Sequence, residues 1–409
     1  GAIGKIKTIE IALAFDKESS RSHVRIYYKH EPTDPADGRF YRRSLKRRLY
    51  SIMFNDRLKE MTRREHAPFL FGAGYYGSLV PARDAYITFA SAHNDQTREA
   101  LEALLVENER VRQHGFTSTE LERARKTLMG DIENQYKGRH SKPSEKYIED
   151  FMGHFSSGKP ILSMEYRYRQ AQKLMPDISL GEINALPQKW ITQDNMVFVI
   201  KGTERESSKV RSKEQVLSLL SDIRHRKIEP YVDQTVKGPL IDRQIQPGSV
   251  VQQEVDKESG LIRWKLSNGM KVVIKPTGFH DNEIMMRAYS PGGYSLSKSQ
   301  DIPSARLLPD VIAQSGVGSF SRGELKKKLT GRDAEVTPWL DVYAEGFEGR
   351  CSAGNLETML KLTYLYFTQP REDAQAYRST MAKRKAIAEN TRKNPDKAFD
   401  DTIQAVLSG

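Results

Sequence analysis

Residues 261–274 read LIRWKLSNGMKVVI, and this stretch predicts a β-hairpin at the start of a folding unit. Its two arms, Leu261–Leu266 and Met270–Ile274, have the composition of strands, and Ser267-Asn268-Gly269 separates them. Asn-Gly accepts the positive φ angles of a tight type I′ turn, so a turn of that type is predicted. The hairpin is therefore taken as the start of a second folding unit, which follows a first unit on its N-terminal side.

The chain is predicted to form two units joined by a linker. Residues 236–258 hold two prolines and mixed polar residues with little periodicity, which is typical of a linker. Residues 1–235 alternate strand-like and helix-like patterns, and residues 259–409 continue from the hairpin into further strands and amphipathic helices. The predicted fold class is α+β, with duplicated α/β sandwich domains whose mostly antiparallel sheets carry helices on one face.

Periodicity gives approximate bounds for the helices and strands. Alternation of apolar and polar residues marks half-buried strands, whereas apolar residues three and four apart mark helices. Thr117, three residues before Glu120, predicts a capping box at the start of one helix. The segments are strands at Ile6–Ile11, His23–Tyr28, Phe69–Tyr76, Ala85–Ala90 and Met196–Lys201, and helices at Tyr41–Met61, Gln96–Gln113, Thr119–Tyr136, Ala305–Gln314 and Leu356–Phe367.

An internal repeat supports the duplicated architecture. Ser91-Ala92-His93-Asn94 ends a predicted strand and precedes a helix, and Ser352-Ala353-Gly354-Asn355 does the same 261 residues later. A second helix further along each copy carries Ile132-Glu133-Asn134 in the first and Ala388-Glu389-Asn390 in the other, 256 residues apart. Two matches in the same order and at nearly one offset indicate a repeated unit.

The charge balance raises nucleic acid as a partner, because Lys and Arg number 65 against 53 Asp and Glu. We interpret the densest basic cluster as a solvated helix face, with a contact surface for an acidic partner or membrane headgroups as the alternative. Aromatic residues are not interleaved as a base-stacking platform needs, so no nucleic-acid partner is predicted. The basic cluster consists of Arg39, Arg42, Arg43, Lys46, Arg47 and Arg48.

No stretch approaches the roughly 20 apolar residues that span a bilayer, so no transmembrane segment is predicted.

Metal and cofactor motifs are not found in the sequence. A helical zinc site needs two histidines three or four residues apart, whereas the closest of the nine histidines, His23 and His30, are seven apart. The single cysteine, Cys351, excludes a cysteine cage and is predicted to be a buried apolar residue. Gly72–Gly77 fits G-x-G-x-x-G, but no helix follows it, so a flexible or bulged strand is predicted rather than a dinucleotide loop. We therefore predict no cofactor and no metal ligand in this chain.

The region from Trp264 onward resembles the opening of a peptidase domain of the pitrilysin–insulinase family of zinc metallopeptidases. The resemblance lies in Leu266–Val273, Ser290–Ser295 and the helix from Ala305 to Val311. In active members this helix carries His-x-x-Glu-His, in which the histidines bind zinc and the glutamate activates water. Here the histidine positions hold Arg306 and Asp310, the glutamate position holds Pro309, and only Glu389 matches the later glutamate ligand. The resemblance thus implies a degenerate, truncated domain at 259–409.

Residues 1–235 resemble the non-catalytic second domain of the same architecture. The matching features are Asn55-Asp56-Arg57-Leu58, Arg63-Arg64-Glu65 and the helix pair between residues 96 and 136. The resemblance implies that the catalytic first domain of the same polypeptide is missing, that zinc is bound there, and that peptides are the substrates. It also implies a periplasmic or secreted parent protein.

The function implied is an accessory segment that forms part of a substrate chamber and is catalytically incompetent on its own. A non-catalytic scaffold derived from a peptidase is the alternative. An exposed strand edge would bind extended peptide by β-augmentation. Active members also place an Arg and a Tyr seven residues apart against the substrate, whereas Arg64 is followed by Phe71 at that spacing. The candidate cleft residues are Arg63, Arg64, Phe71, Gly72, Gly74 and Tyr75.

Overall fold

The computed structural model describes residues 9–17, 22–34, 37–64, 66–80, 82–92, 96–141, 144–203, 210, 212–233, 238–280, 282–391 and 395–408. Within these residues two hydrophobic clusters form, one built from residues between 11 and 228 and the other from residues between 240 and 366. Leu240 already belongs to the second cluster. The domain boundaries given above stay a prediction.

The first cluster lies between a five-stranded sheet and the helices packed on it. The strand order is β1-β5-β2-β4-β3, so β3 is an edge strand. Only the pair β1–β5 is parallel, and the other pairs are antiparallel. The elements are strands β1 Glu10–Asp16, β2 Ser22–His30, β3 Phe71–Val80, β4 Arg83–Ala92 and β5 Met196–Thr203, and helices α1 Phe40–Met61, α2 Thr97–His114, α3 Ser118–Lys137, α4 Ser144–Ser157, α5 Met164–Leu174, α6 Leu180–Trp190 and α7 Lys213–His225.

The second cluster lies under a three-stranded sheet ordered β10-β11-β9, and a separate three-stranded sheet is ordered β6-β7-β8. Both sheets are antiparallel. Cys351 is buried in this cluster, which confirms the prediction that it is a buried apolar residue. The elements are strands β6 Val250–Asp256, β7 Leu261–Leu266, β8 Lys271–Ile274, β9 Ile284–Pro291, β10 Ala334–Leu340 and β11 Ala344–Cys351, and helices α8 Ile302–Ser315, α9 Arg322–Lys328, α10 Leu356–Thr368, α11 Ala374–Thr391 and α12 Pro395–Ser408.

The predicted fold class is confirmed, with α+β units, mostly antiparallel sheets and helices packed against them. The predicted bounds of α1, α2 and α3 agree with the structure to within two residues. Thr117 accepts from the amide of Glu120, and the Glu120 side chain accepts from the amide of Thr117, so the capping box is also confirmed. None of the helices in the described residues is both long and apolar enough to cross a membrane.

Three local predictions need comment, and the turn type among them was wrong. The first strand covers Glu10–Asp16 in register with β5 and so extends beyond the predicted Ile6–Ile11, of which residues 6–8 lie outside the described part. The segment predicted as a linker contains β6, whose side chains are almost all exposed and so show no apolar alternation, while the linker as a domain boundary stays a prediction. In the hairpin turn only Gly269 has a positive φ angle, and Leu266 O accepts from Gly269 N at 2.9 Å. This pattern is a three-residue loop closed by a glycine rather than a type I′ turn.

The basic cluster on α1 is not simply a solvated helix face. Arg42 forms an ion pair with Glu182 on α6 at 2.5 Å. Arg47 lies 3.5 Å from Asp84 on β4, and its guanidinium stacks on the Tyr76 ring at 4.1 Å. The charges thus attach α1 to the elements around it, which a helical wheel of α1 alone does not reveal.

Both copies of the internal repeat lie in the predicted context. Ser91 and Ala92 end β4 before α2, and Ser352 follows β11 before α10. Ile132–Asn134 lies on α3, and Ala388–Asn390 lies on α11. His93 and Asn94 fall outside the described residues.

Candidate functional site

The edge strand β3 carries four of the six predicted cleft residues, two on each of its faces. Phe71 and Tyr75 point outward, with 55% and 45% of their surfaces exposed. Gly72 and Gly74 lie on the face that covers α1, as the two-residue period of a strand requires. The strand therefore presents an aromatic outer surface while its glycines allow close packing beneath.

Close packing beneath the strand explains the two inner glycines. A Cβ atom at Gly74 would lie 2.8 Å from the Phe54 ring on α1, and one at Gly72 would lie 2.9 Å from the Phe69 ring before β3 and 3.4 Å from Leu58 on α1. The amide of Gly74 also donates to Asn55 Oδ1 at 2.6 Å. The sequence G-x-G at this position serves a close approach of strand to helix.

We expect Gly74→Ala to lower the free energy of unfolding by about 1–3 kcal/mol, the usual cost of overpacking a filled core. The matched control is Gly77→Ala in the same strand, where the added Cβ would meet Tyr75 only at 3.7 Å. Urea denaturation followed by circular dichroism measures both variants. Equal stability of the two variants would show that Gly74 is not a packing requirement.

A cavity of about 840 Å³ adjoins the outer end of β3. Its wall includes Tyr75 and Tyr76 from β3 and the cations Arg47, Arg48 and Lys159. Burial lowers the pKa of the Arg47 and Arg48 guanidinium groups, although both groups remain cationic at neutral pH. Asp34 and Asp84 also line the cavity, and Arg47 lies 3.5 Å from Asp84, so Arg48 and Lys159 are the cations that a carboxylate on an extended chain would meet.

The predicted cleft residues do not form one group. Arg63 is half-buried at the contact between the two clusters, where its Nη1 would lie 3.1 Å from a Cβ atom at Gly323. Arg63 borders the two cavities at that contact, whereas Tyr75 borders the cavity beside β3. Arg64 is exposed. The structure thus brings Phe71 and Tyr75 together and places Arg63 elsewhere.

The positions that match the zinc motif lie on α8, which continues through Pro309. Arg306 donates to Tyr294 Oη at 3.3 Å, and its guanidinium lies 5.1 Å from that ring centroid. Asp310 forms an ion pair with Arg384 on α11. Arg306 and Asp310 are thus both engaged with neighbouring side chains of the second unit.

Metal ligation by this chain is an open prediction. Among the described residues, no three His, Cys, Asp or Glu side chains come together as a metal site. Glu389 lies on α11, and its side chain is outside the described part. The expectation that the chain holds no zinc stays a prediction for direct measurement.

An ionic cluster connects the two hydrophobic clusters, and sequence reasoning missed it. Asp233 accepts two hydrogen bonds from Arg123, at 2.7 and 2.9 Å, and pairs with Lys327 on α9 at 3.0 Å. Lys327 also pairs with Glu60 on α1 at 2.9 Å. Asp233 follows the last helix of the first unit in an irregular segment, so no local periodicity marks it.

Asp233 should make the stability of the chain depend on pH. Burial alone would raise the pKa of its carboxyl, but hydrogen bonds from Arg123, Thr119 and Lys327 outweigh burial and lower the pKa from 3.8 to about 2. Since the folded pKa lies below the unfolded one, the stabilisation is complete above about pH 4 and is lost as the pH falls towards about 2. After allowance for solvent screening we expect about 1–2 kcal/mol at neutral pH.

The comparison of wild type with Asp233→Asn measures this contribution, because the amide does not titrate in that range. The difference in unfolding free energy should be constant from pH 7 to 5 and should shrink between about pH 4 and 2. A difference that stays constant down to pH 2 would contradict the assigned role.

Curated relatives of the chain are zinc proteases. The zinc protease PQQL-like of Arabidopsis thaliana is 24% identical over 399 residues, which are 96% of this chain and 36% of that protein. The probable zinc protease PqqL of Escherichia coli is 22% identical over 318 residues, which are 76% of this chain and 34% of that protein. The chain therefore spans about a third of the length of these relatives. No protein-family model matches the chain.

Solved structures establish the same fold at low sequence identity. The periplasmic protease PqqL from Escherichia coli aligns with a TM-score of 0.53 at 19% identity, over 98% of this chain and 44% of that one. Pitrilysin aligns with a TM-score of 0.53 at 10% identity, over 91% of this chain and 39% of that one. At such identities the likeness concerns the architecture, and it covers both units of the chain.

Proposed function

This chain is a relative of the pitrilysin–insulinase-type zinc proteases, and on that premise we propose that it is an accessory segment of a larger metallopeptidase. In this proposal the segment forms part of the wall of an enclosed peptide chamber. The catalytic domain and its zinc belong to another part of the same polypeptide, and the parent protein is periplasmic or secreted. The segment has no peptidase activity of its own.

One observation carries the proposal. The chain matches zinc proteases over nearly its whole length, yet the positions of the catalytic motif hold Arg306, Pro309 and Asp310. Arginine cannot ligate zinc, and proline offers no base to activate water. A peptidase fold without the hydrolytic groups is suited to hold substrate rather than cut it.

The edge of β3 is the surface that we assign to substrate. Phe71 and Tyr75 offer exposed rings, and the neighbouring strand β4 pairs with only one edge of β3. An extended peptide could add to the other edge, with its alternate side chains against the two rings. Binding by the isolated chain should be weak, because the opposite wall of the chamber is contributed by other domains.

The sequence of the full-length parent tests the proposal. We expect the reading frame upstream of Gly1 to encode His-x-x-Glu-His, and we expect the purified parent to cleave peptides only while both histidines are intact. A parent that lacks the motif would instead support a peptidase-derived scaffold. Calorimetry that found tight, one-to-one peptide binding by the isolated chain would contradict the shared-chamber arrangement.

A further inference from the structure

A groove of about 690 Å³ lies between the two hydrophobic clusters. One wall is the C-terminal end of α1 with the turn after it, and the other walls are α9 and α11. Its floor includes the apolar side chains of Val336 and Leu362 and the ring of Tyr366. The groove is distinct from the β3 edge and from its adjoining cavity.

Positive charge dominates the lining of the groove. Seven lysines and arginines line it against three carboxylates. One of the carboxylates, Asp310, is already paired with Arg384. The cations lie on helices α1, α9 and α11 and on the segments next to them. They are Lys59, Arg63, Arg322, Lys326, Arg332, Lys383 and Arg384.

Several of these cations have no carboxylate partner. Among the described residues, no carboxylate lies within ion-pair distance of Lys59, Arg63 or Lys383. Like charge on Lys326 lowers the pKa of Lys59, with burial and Arg63 adding to the effect. Burial is the largest cause that lowers the pKa of Arg63, and Arg322 adds to it, while Glu60 acts in the opposite direction. A bound anion would offset the repulsion between these cations.

We propose that this groove binds a polypeptide segment that carries closely spaced Asp and Glu side chains. The inference rests on the proposed function, since it assigns a substrate class to the chamber wall. Cations spread from α1 to α11 match carboxylates spaced along a chain better than one compact ion. The apolar floor suits the methylene groups of such side chains and would gain nothing from a free phosphate.

Fluorescence anisotropy with labelled hexaglutamate tests the proposal on the full chain at low salt. Hexaglutamate should bind at least about tenfold more tightly than a neutral Gly-Ser peptide of the same length, and the difference should fall as salt is added. The triple variant Lys59→Gln/Arg63→Gln/Lys383→Gln should weaken hexaglutamate binding by about tenfold or more. The matched control, Lys213→Gln/Lys265→Gln/Lys271→Gln, removes the same charge from exposed sites outside the groove.

Equal loss in the two triple variants would overturn the proposal, because the effect would then follow net charge alone. Tight binding of inorganic triphosphate without binding of hexaglutamate would also overturn it, since the groove would then be a phosphate site. Failure of the proposed function has a different signature. A parent without His-x-x-Glu-His would remove the protease role and leave hexaglutamate binding intact, whereas loss of hexaglutamate binding alone would leave the protease role standing.

Discussion

Arg57→Ala should lower the free energy of unfolding by about 3–5 kcal/mol, because it leaves the buried Glu120 carboxylate without its cation and leaves Glu107 with Arg110 as its remaining cation. Arg57 is buried on α1 and donates to Glu120 at 2.6 and 2.8 Å and to Glu107 at 3.1 Å. It also donates to the carbonyl of Gly115 at 3.0 Å. The side chains of Glu107 and Glu120 are 0% and 4% exposed, so water cannot replace the lost guanidinium without structural change.

Chemical denaturation at neutral pH measures this effect against an exposed ion pair. Lys146 pairs with Glu149 on α4, and their side chains are 57% and 66% exposed. Lys146→Ala should change stability by less than about 0.5 kcal/mol, since exposed pairs contribute little. A loss below about 1 kcal/mol for Arg57→Ala would show that the buried network does not anchor α1 to the helix pair.

Phe54→Ala is expected to cost about 3–5 kcal/mol, since it empties a large volume in a close-packed core. Phe54 is fully buried on α1, and its ring centroid lies 6.0 Å from that of Tyr50 and 6.1 Å from that of Tyr86. Its ring fills the space left by Gly74 on the strand above. Phe54→Leu, which removes less volume, serves as the control and should cost clearly less.

The Phe54 and Gly74 substitutions should also interact. Gly74→Ala is costly because its Cβ would meet the Phe54 ring, and truncation of that ring removes the clash. The double variant Phe54→Ala/Gly74→Ala should therefore lose less stability than the two single losses added together, by about 1 kcal/mol or more. Strict additivity would contradict the proposed packing of β3 on α1.

Local patterns predicted those features that local interactions create. The bounds of α1 and α3 follow from apolar residues at helical spacing, and Thr117 with Glu120 forms the capping box three residues apart. The hairpin was predicted correctly from Asn268-Gly269, but the predicted type I′ turn was wrong, since Gly269 has a positive φ angle and Asn268 does not. The family resemblance is confirmed by relatives and neighbours that cover most of the chain.

Long-range partners could not be predicted from one sequence. Arg57 lies in the Asn55–Leu58 motif, yet its partners Glu107 and Glu120 are 50 and 63 residues away. Gly72 and Gly74 match a dinucleotide motif by letter, and only the position of Phe54 on α1 shows why glycine is needed at Gly74. The ion pairs of the α1 arginines with α6 and β4 could not be predicted either, because their partners are also distant in sequence.

The central claim is that the residues at the zinc-motif positions neither bind zinc nor activate water. Metal analysis of the purified chain tests this claim most directly. The chain should be saturated with zinc, dialysed, and assayed for bound metal and for cleavage of fluorogenic peptides. We expect no stoichiometric zinc and no cleavage above the blank, because Arg306, Pro309 and Asp310 supply neither ligands nor a base. One tightly bound zinc per chain together with unaided peptide cleavage would contradict the account.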